Sequence, residues 1–182
     1  MFEKICSLFF ERIGYKVDRH ILNTNGVLRF TKKEYEMVRI GIGLYGITND
    51  KKLRQISTFK SIITQVRTIK KGERIGYDTS FVAIKDMKMG IIPLGYADGL
   101  NRKLSAEKGL VLIHNVPCPI IGEISMDSSI VNLNNTDAKS GDEVIIFGTE
   151  NTVLSIAEKL DTIPYEIFAT LNRRIKRVYS DY

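Results

Sequence analysis

Three groups of residues in this sequence carry side chains suited to chemistry as well as to packing. The first is a pair of tyrosines in glycine-rich settings, Tyr77 in Ile75-Gly76-Tyr77 and Tyr96 in Gly95-Tyr96-Ala97-Asp98-Gly99. A phenol ionises near 10, so a tyrosine works as a base at neutral pH only beside a group that favours its phenolate. Taken without context, Tyr77 reads as a half-buried amphipathic residue closing a strand. The second is Arg39, the one charged residue in Met37-Val38-Arg39-Ile40-Gly41-Ile42-Gly43-Leu44-Tyr45-Gly46. A lone arginine in a buried strand must be paired or must serve a ligand. The third is Asn23-Thr24, just ahead of Asn25-Gly26. A hydroxyl and loop amides before a helix turn suit a dianion such as phosphate, although on their own these residues read as an ordinary helix cap. No metal site is indicated. His20 and His114 lack partners at ligand spacing, and Cys6 and Cys118 lie far apart without a CxxC pattern, so all four are read as structural.

These residues need elements to position them. From Phe2 to Ile13 apolar residues recur at helical spacing and Gly14 supplies a stop, which predicts an amphipathic helix over 2–13. The run from Tyr15 to Leu22 reads as a strand emptying into the loop at Asn23 to Gly26. Met37 to Ile47, apolar on both faces apart from Arg39, reads as a second strand buried between layers. Helix, strand, loop, helix turn, strand is a βα pattern, found in parallel sheets and barrels whose loops carry the chemistry. About 48 residues cannot close a barrel that normally takes about 250, so residues 1–48 read as the last βα units of an incomplete TIM-type barrel. After Asp50 the pattern changes to short β-rich segments punctuated by Lys71-Gly72, Gly76-Tyr77-Asp78, Asp98-Gly99 and Gly141-Asp142. That predicts a mostly antiparallel β domain over 49–182, with helices at 152–160 and 165–171, and an α/β + β fold for the chain.

With 182 residues, 43% of them hydrophobic, the chain is long enough for one or two buried cores. No run approaches the roughly 18 apolar residues of a membrane helix, and the amino end lacks the order of a signal peptide, so a cytoplasmic protein with no membrane partner is the expectation. The formal charge of +6 permits attraction to anions. A nucleic-acid role is not favoured, because neither an aromatic stacking motif nor a compact Lys/Arg stripe is present.

Six phrases together resemble the fold-type III alanine racemases, and the resemblance runs from about residue 19 to the end. They are Arg19-His20-Ile21-Leu22-Asn23-Thr24, residues 37–46 above, Ile75-Gly76-Tyr77, Gly95-Tyr96-Ala97-Asp98-Gly99, Ile124-Ser125-Met126-Asp127 and Ile163-Pro164-Tyr165-Glu166-Ile167. Each alone is weak; six in the family's order are specific. Wording at Ile56 to Lys60 and Lys71 to Tyr77 is further similar to racemases fused behind a Mur ligase for peptidoglycan precursors. The resemblance implies an α/β barrel followed by a β domain, pyridoxal phosphate as cofactor, alanine as substrate, and head-to-tail homodimers in which each β domain completes its partner's site.

Inverting an α-carbon requires two bases on opposite faces. The family uses a tyrosine and the lysine that holds the cofactor covalently, and Tyr77 matches that tyrosine. Asp78 follows it where the family often has glycine, and a facing carboxylate would raise the phenol's pKa. The resemblance assigns Asn23, Thr24, Gly41, Ile42 and Tyr165 to the cofactor phosphate and Arg39 to its pyridine nitrogen. It assigns Met126 and Asp127 to the substrate carboxylate region, and Tyr96 and Arg102 to the access channel. Taken alone, Arg102 is as readily a solvated charge and Tyr165 a core aromatic. Glu123 stands where many members have arginine, which alters the channel's charge.

No lysine in these 182 residues stands in the context of the cofactor lysine. The expectation is therefore the C-terminal part of a racemase, inactive alone and completed by an N-terminal barrel or ligase portion. Two rivals stay open: another fold-type III enzyme, with Tyr77 arguing against a decarboxylase, and a non-catalytic domain that dimerises or regulates.

Overall fold

The structure, a computed structural model, describes residues 1–30, 32–48, 50, 52–76 and 81–180. The chain divides into two compact units, Met1–Arg54 and Gln55–Tyr182, where the sequence places the boundary after residue 48.

The first unit opens with α1, Phe2–Ile13, over the predicted residues; Gly14 ends it in the left-handed conformation and donates its N–H to the Phe10 carbonyl. None of its side chains is buried, and Ile5, Leu8 and Phe9 lie exposed. The helix is tied down at its start. The Phe2 ring lies 5.2 Å from that of Tyr35, whose hydroxyl donates to Glu3 Oε1. Arg19 stacks over the Tyr35 ring and grips both carboxylate oxygens of Glu36 through Nε and Nη2. That fork holds the Glu36 carboxyl down at about 2, against its ordinary 4.5.

The two strands expected in this unit are reduced to a single parallel bridge between Asn23 and Arg39. Its parallel sense is that of a βα unit. Residues 15–22 are irregular, and the second run turns into a 3-10 helix at Ile42–Tyr45. Ile42 and Ile47 are buried, but Met37, Arg39, Ile40, Leu44 and Tyr45 are exposed, so Arg39 does not lie in a buried strand. The physical reason is pairing: burial on both faces requires neighbouring strands and covering layers, and one bridge supplies neither. Between the bridged segments lies α2, Thr24–Arg29, capped by the Asn23 side chain.

The second unit holds nine strands among the described residues: β1 Phe59–Ile62, β2 Gln65–Ile69, β3 Arg74–Ile75, β4 Phe81–Val82, β5 Met87–Ile92, β6 Leu110–Ile113, β7 Val116–Ile121, β8 Ser129–Asn132 and β9 Glu143–Phe147. Seven form one sheet in the order β1-β9-β6-β7-β8-β5-β2, with every neighbouring pair antiparallel, as the punctuated pattern predicts. β3 and β4 form a separate antiparallel hairpin.

β1 and β2 are joined by Ile63 and Thr64 alone, yet they stand at opposite edges of the sheet order. The sheet must therefore curl until its edges meet at that corner. Ile63 bonds on the β9 side, donating to the Asp142 carbonyl and accepting from Gly141 N–H, while Thr64 N–H turns to the Ile91 carbonyl of β5. Apolar side chains fill the curl, with Ile63, Ile113, Ile120, Ile121, Val131 and Val144 fully buried. Pro117 and Pro119 in β7 are tolerated because its pairing with β8 is confined to Ile120 and Ile121. His114 and Asn115, both with positive φ, form the two-residue turn between β6 and β7. The His114 imidazole sits between two carboxylates, its Nδ1 3.4 Å from Asp137 Oδ1 and its Nε2 3.1 Å from Asp142 Oδ2.

Two helices finish the unit within a residue or two of expectation. Thr152 caps α3, Val153–Lys159, by accepting from Ser155 N–H, and Pro164 opens α4, Pro164–Ala169. Phe168 of α4 packs edge-on to Phe147, which in turn meets Phe59, fastening the helix to the sheet. If the corner closes the sheet, Ile63→Ala, at a side chain with 0% exposure, should cost about 2–5 kcal/mol in urea unfolding. The neighbouring Ile62→Ala, at 49% exposure, should cost less than about 1 kcal/mol. Equal losses at the two positions would contradict the closure.

Candidate active site

The second unit assembles a site around the turn that follows β5. At Gly95 an added Cβ would lie 2.2 Å from the Ser125 carbonyl oxygen and 2.3 Å from that of Met126, so only glycine lets the two backbones meet. Once together they bond: Tyr96 N–H donates to Ser125 O and Ala97 N–H to Met126 O, each at 3.0 Å. Gly99, at φ +106°, closes the turn against the Thr170 carbonyl, which a Cβ would approach to 2.8 Å.

Asp98 is buried at the centre of this turn. Its Oδ2 accepts the Gly95 N–H at 2.9 Å and its Oδ1 accepts Arg174 Nε at 2.6 Å. Arg174 Nη2 reaches on to Asp127 Oδ1, also at 2.6 Å. A buried carboxylate is tolerated only when paired and hydrogen-bonded, and this one is both. Asp98 first, and Asp127 second, push the Arg174 pKa above its already high value, so it is a permanent cation.

Beside the turn opens a cleft of about 720 Å³, with Tyr96, Asn101, Arg102, Ser125, Met126 and Thr170 among its lining. Three of the four residues assigned to substrate and channel, Tyr96, Arg102 and Met126, thus share one cavity. The fourth, Asp127, adjoins Met126 and is engaged by Arg174. The Arg102 side chain is 61% exposed and its Nε lies 3.3 Å from Glu123 Oε2, a solvated charge that is also paired. Glu123 therefore offsets the positive charge at this wall. Asn101 caps the short 3-10 turn Arg102–Leu104 by accepting from Lys103 N–H.

The first unit gathers Asn23, Thr24, Arg39 and Gly41. Asn23 Oδ1 accepts the Gly26 N–H, the capping arrangement that its sequence setting suggests. Thr24 is buried, and its Oγ1 accepts from Gly41 N–H at 3.0 Å and Gly43 N–H at 3.3 Å. Gly43 must be glycine for this, because a Cβ would lie 2.7 Å from the Thr24 methyl. The Gly41 amide, assigned to a phosphate, is here given to Thr24. Arg39 donates from Nη2 to the Ile21 carbonyl. Ile42 is buried at the head of its 3-10 turn. A hydroxyl proton, an amide group and a guanidinium remain as donors, a set whose chemistry fits a phosphate and a ring nitrogen.

Tyr165 stands in the first turn of α4 and is exposed, so it is not the core aromatic that its setting equally allowed. Tyr77 and Asp78 lie outside the described residues, between β3 and β4. Sequence reasoning missed Arg174 and Thr170. The one signal for Arg174 was indirect: an aspartate in a tight, apolar-flanked turn needs a cation from somewhere.

Residues 56–179 match the family described as alanine racemase, C-terminal domain. An alanine racemase of Helicobacter pylori strain P12 is 41% identical over 177 residues, which cover 88% of this chain and 47% of that protein. Among solved structures, alanine racemase of Clostridium difficile 630 superposes with a TM-score of 0.88 at 31% identity, over 98% of this chain and 48% of that one. That of Bartonella henselae with covalently bound pyridoxal phosphate does so with a TM-score of 0.84 at 31% identity, over 98% and 52%. The chain spans about half the length of the relatives it matches.

The geometry makes Thr24 the clasp of the first unit's donor cluster. Replacing it by valine keeps the shape and strands two amides, which should cost about 1–3 kcal/mol, whereas Thr24→Ser should stay within about 1 kcal/mol. Chemical denaturation of both variants decides it; a valine variant as stable as the serine one would show the hydroxyl to be idle.

Proposed function

The chain belongs to the alanine racemase C-terminal domain family, and from that premise we propose that it forms part of an enzyme interconverting L- and D-alanine with pyridoxal phosphate. The observation that carries this reading is the cleft shared by Tyr96 and Met126, which come from two separate sequence phrases, and by Arg102. Its mixed lining of phenol, hydroxyl, thioether and a charge-balanced arginine suits a small zwitterion.

The cofactor, when bound, draws electrons from the α-carbon and so makes its proton removable. The residues of this chain do the rest. Thr24 and Asn23 hold the phosphate end, with Tyr165 as a further donor. Arg39 would hold the pyridine nitrogen, and a guanidinium, having no acceptor, would leave that nitrogen unprotonated. Met126, through its amide, and Asp127 orient the substrate carboxylate. Tyr77 removes or returns the α-proton on one face, and the lysine that serves the other face belongs to the rest of the enzyme. D-Alanine for peptidoglycan, in the cytoplasm and in a homodimer whose β domains complete each other's sites, is the setting we propose. The similarity of residues 56–60 and 71–77 to racemases fused behind a Mur ligase supports that pathway. A second reading, a non-catalytic pairing or regulatory domain, draws on the departures at Asp78 and Glu123, which stand where the resemblance expects glycine and arginine.

In the complete enzyme, Tyr77→Phe should leave folding and cofactor absorbance intact and lower turnover by about 10² to 10⁴, the usual share of a general base. Polarimetry of both enantiomers checks this, and near-normal rates in both directions would remove Tyr77 from the mechanism and favour the second reading. These 182 residues alone, mixed with alanine and pyridoxal phosphate, should not racemise alanine faster than free cofactor does, because one of two bases and the covalent anchor are missing. Turnover by the purified polypeptide would overturn that expectation.

A further inference from the structure

We infer that Arg174 is a positioning residue for the cleft, a single guanidinium that clamps its two walls together through Asp98 and Asp127. The inference rests on the proposed racemase reading for its kinetic consequence but not for its structural one.

The two walls belong to different loops. One is the turn Gly95 to Gly99, which carries Tyr96; the other is Ser125 to Asp127, which carries Met126. Their backbones touch through only two hydrogen bonds, Tyr96 N–H to Ser125 O and Ala97 N–H to Met126 O. Arg174 adds a charged bridge over the same seam, with Nε on Asp98 and Nη2 on Asp127. A planar fork with fixed donor directions can address two carboxylates at once and so fixes their separation; a lysine, with one point charge, cannot. The two ends differ: the Asp98 side chain is 8% exposed and that of Asp127 63%. Asp98 thus anchors the arginine inside the fold, and Arg174 holds the outer loop by Asp127.

The clamp is itself built rather than draped. The Arg174 N–H donates to Asn172 Oδ1, and Asn172 N–H donates to the Asp98 carbonyl. Arg177 then staples this segment from its far side, donating from Nη1 to the Asn172 and Ile175 carbonyls and from Nη2 to that of Leu171. Gly99 closes the arrangement, since its lack of a Cβ lets the turn rest on Thr170 and Leu171. Removing the guanidinium leaves two carboxylates with no cation between them, one of them buried, and frees the Met126–Asp127 loop to move against Tyr96.

The test is Arg174→Met and Arg174→Lys in the complete enzyme, with two readouts. Amide hydrogen exchange should show Tyr96 and Ala97 losing protection by roughly tenfold or more in the methionine variant, while Ile120 and Val131 of the sheet keep theirs. The KM for alanine should rise by roughly tenfold while kcat changes by less than about threefold, the pattern of lost ground-state positioning. The lysine variant, which keeps the charge and is the milder change should the methionine variant fail to fold, should fall between it and the native enzyme in both readouts. Unchanged protection at Tyr96 and Ala97 overturns the clamp. Loosening with an unchanged KM, or a fall in kcat alone, overturns its positioning role. An enzyme that does not racemise alanine at all sinks the proposed function, yet the exchange data still decide the clamp.

Discussion

A carboxylate taken out of water must be compensated, and the cleft of this protein is organised around one that is. Asp98 sits inside a five-residue turn with one oxygen on the turn's own first amide and the other on Arg174. Everything that shapes the cleft is attached to that pairing. The turn presents Tyr96, its glycines bring it against the Ser125–Met126 backbone on one side and Thr170 on the other, and the arginine that neutralises it extends to Asp127. The charge is expensive to bury and would be costly to leave unpaired, so the geometry it imposes is narrow. The small zwitterion proposed for this site would gain from that stiffness.

The sheet supplies the frame. β5 and β8 are adjacent, hydrogen-bonded strands, so the loop after β5 and the loop before β8 are held side by side. The cleft walls thus inherit their spacing from sheet register as well as from the ion pair. The first unit works differently. Its donors are gathered by one threonine hydroxyl that accepts two amides, while Arg39 stays at the surface.

Much of this was legible in the sequence where the signal is local. Helical spacing and Gly14 define α1, the runs from Thr152 and Tyr165 mark the late helices, and glycine–aspartate punctuation announces the antiparallel domain. The phrase from Gly95 to Gly99 stood out as a unit and proved to be one. What it needs was not legible, because Arg174 lies 76 residues further on and an ion pair across such a span leaves no periodicity to read. The strands expected at 15–22 and 37–47 failed for a related reason. Apolar composition says that a segment can be buried, but pairing and covering depend on neighbours that composition does not name. Arg39 shows the consequence: the inference from its apolar flanks to burial was physically sound and its premise was not met. Asn23 and Thr24 show a subtler outcome, since capping and ligand chemistry draw on the same atoms and the cap is what the fold itself displays.

The central claim is that an amino acid enters the cleft between Tyr96 and Met126. The chain has five methionines, of which Met126 lines the cleft while Met87 and Met89 are buried in the sheet. Methyl spectra of the complete enzyme with 13C-labelled methionine, recorded as alanine is titrated in, test that claim most directly. The account predicts that the Met126 resonance shifts and saturates while those of Met87 and Met89 stay in place. A Met126 resonance that does not move at alanine concentrations the enzyme turns over would contradict it.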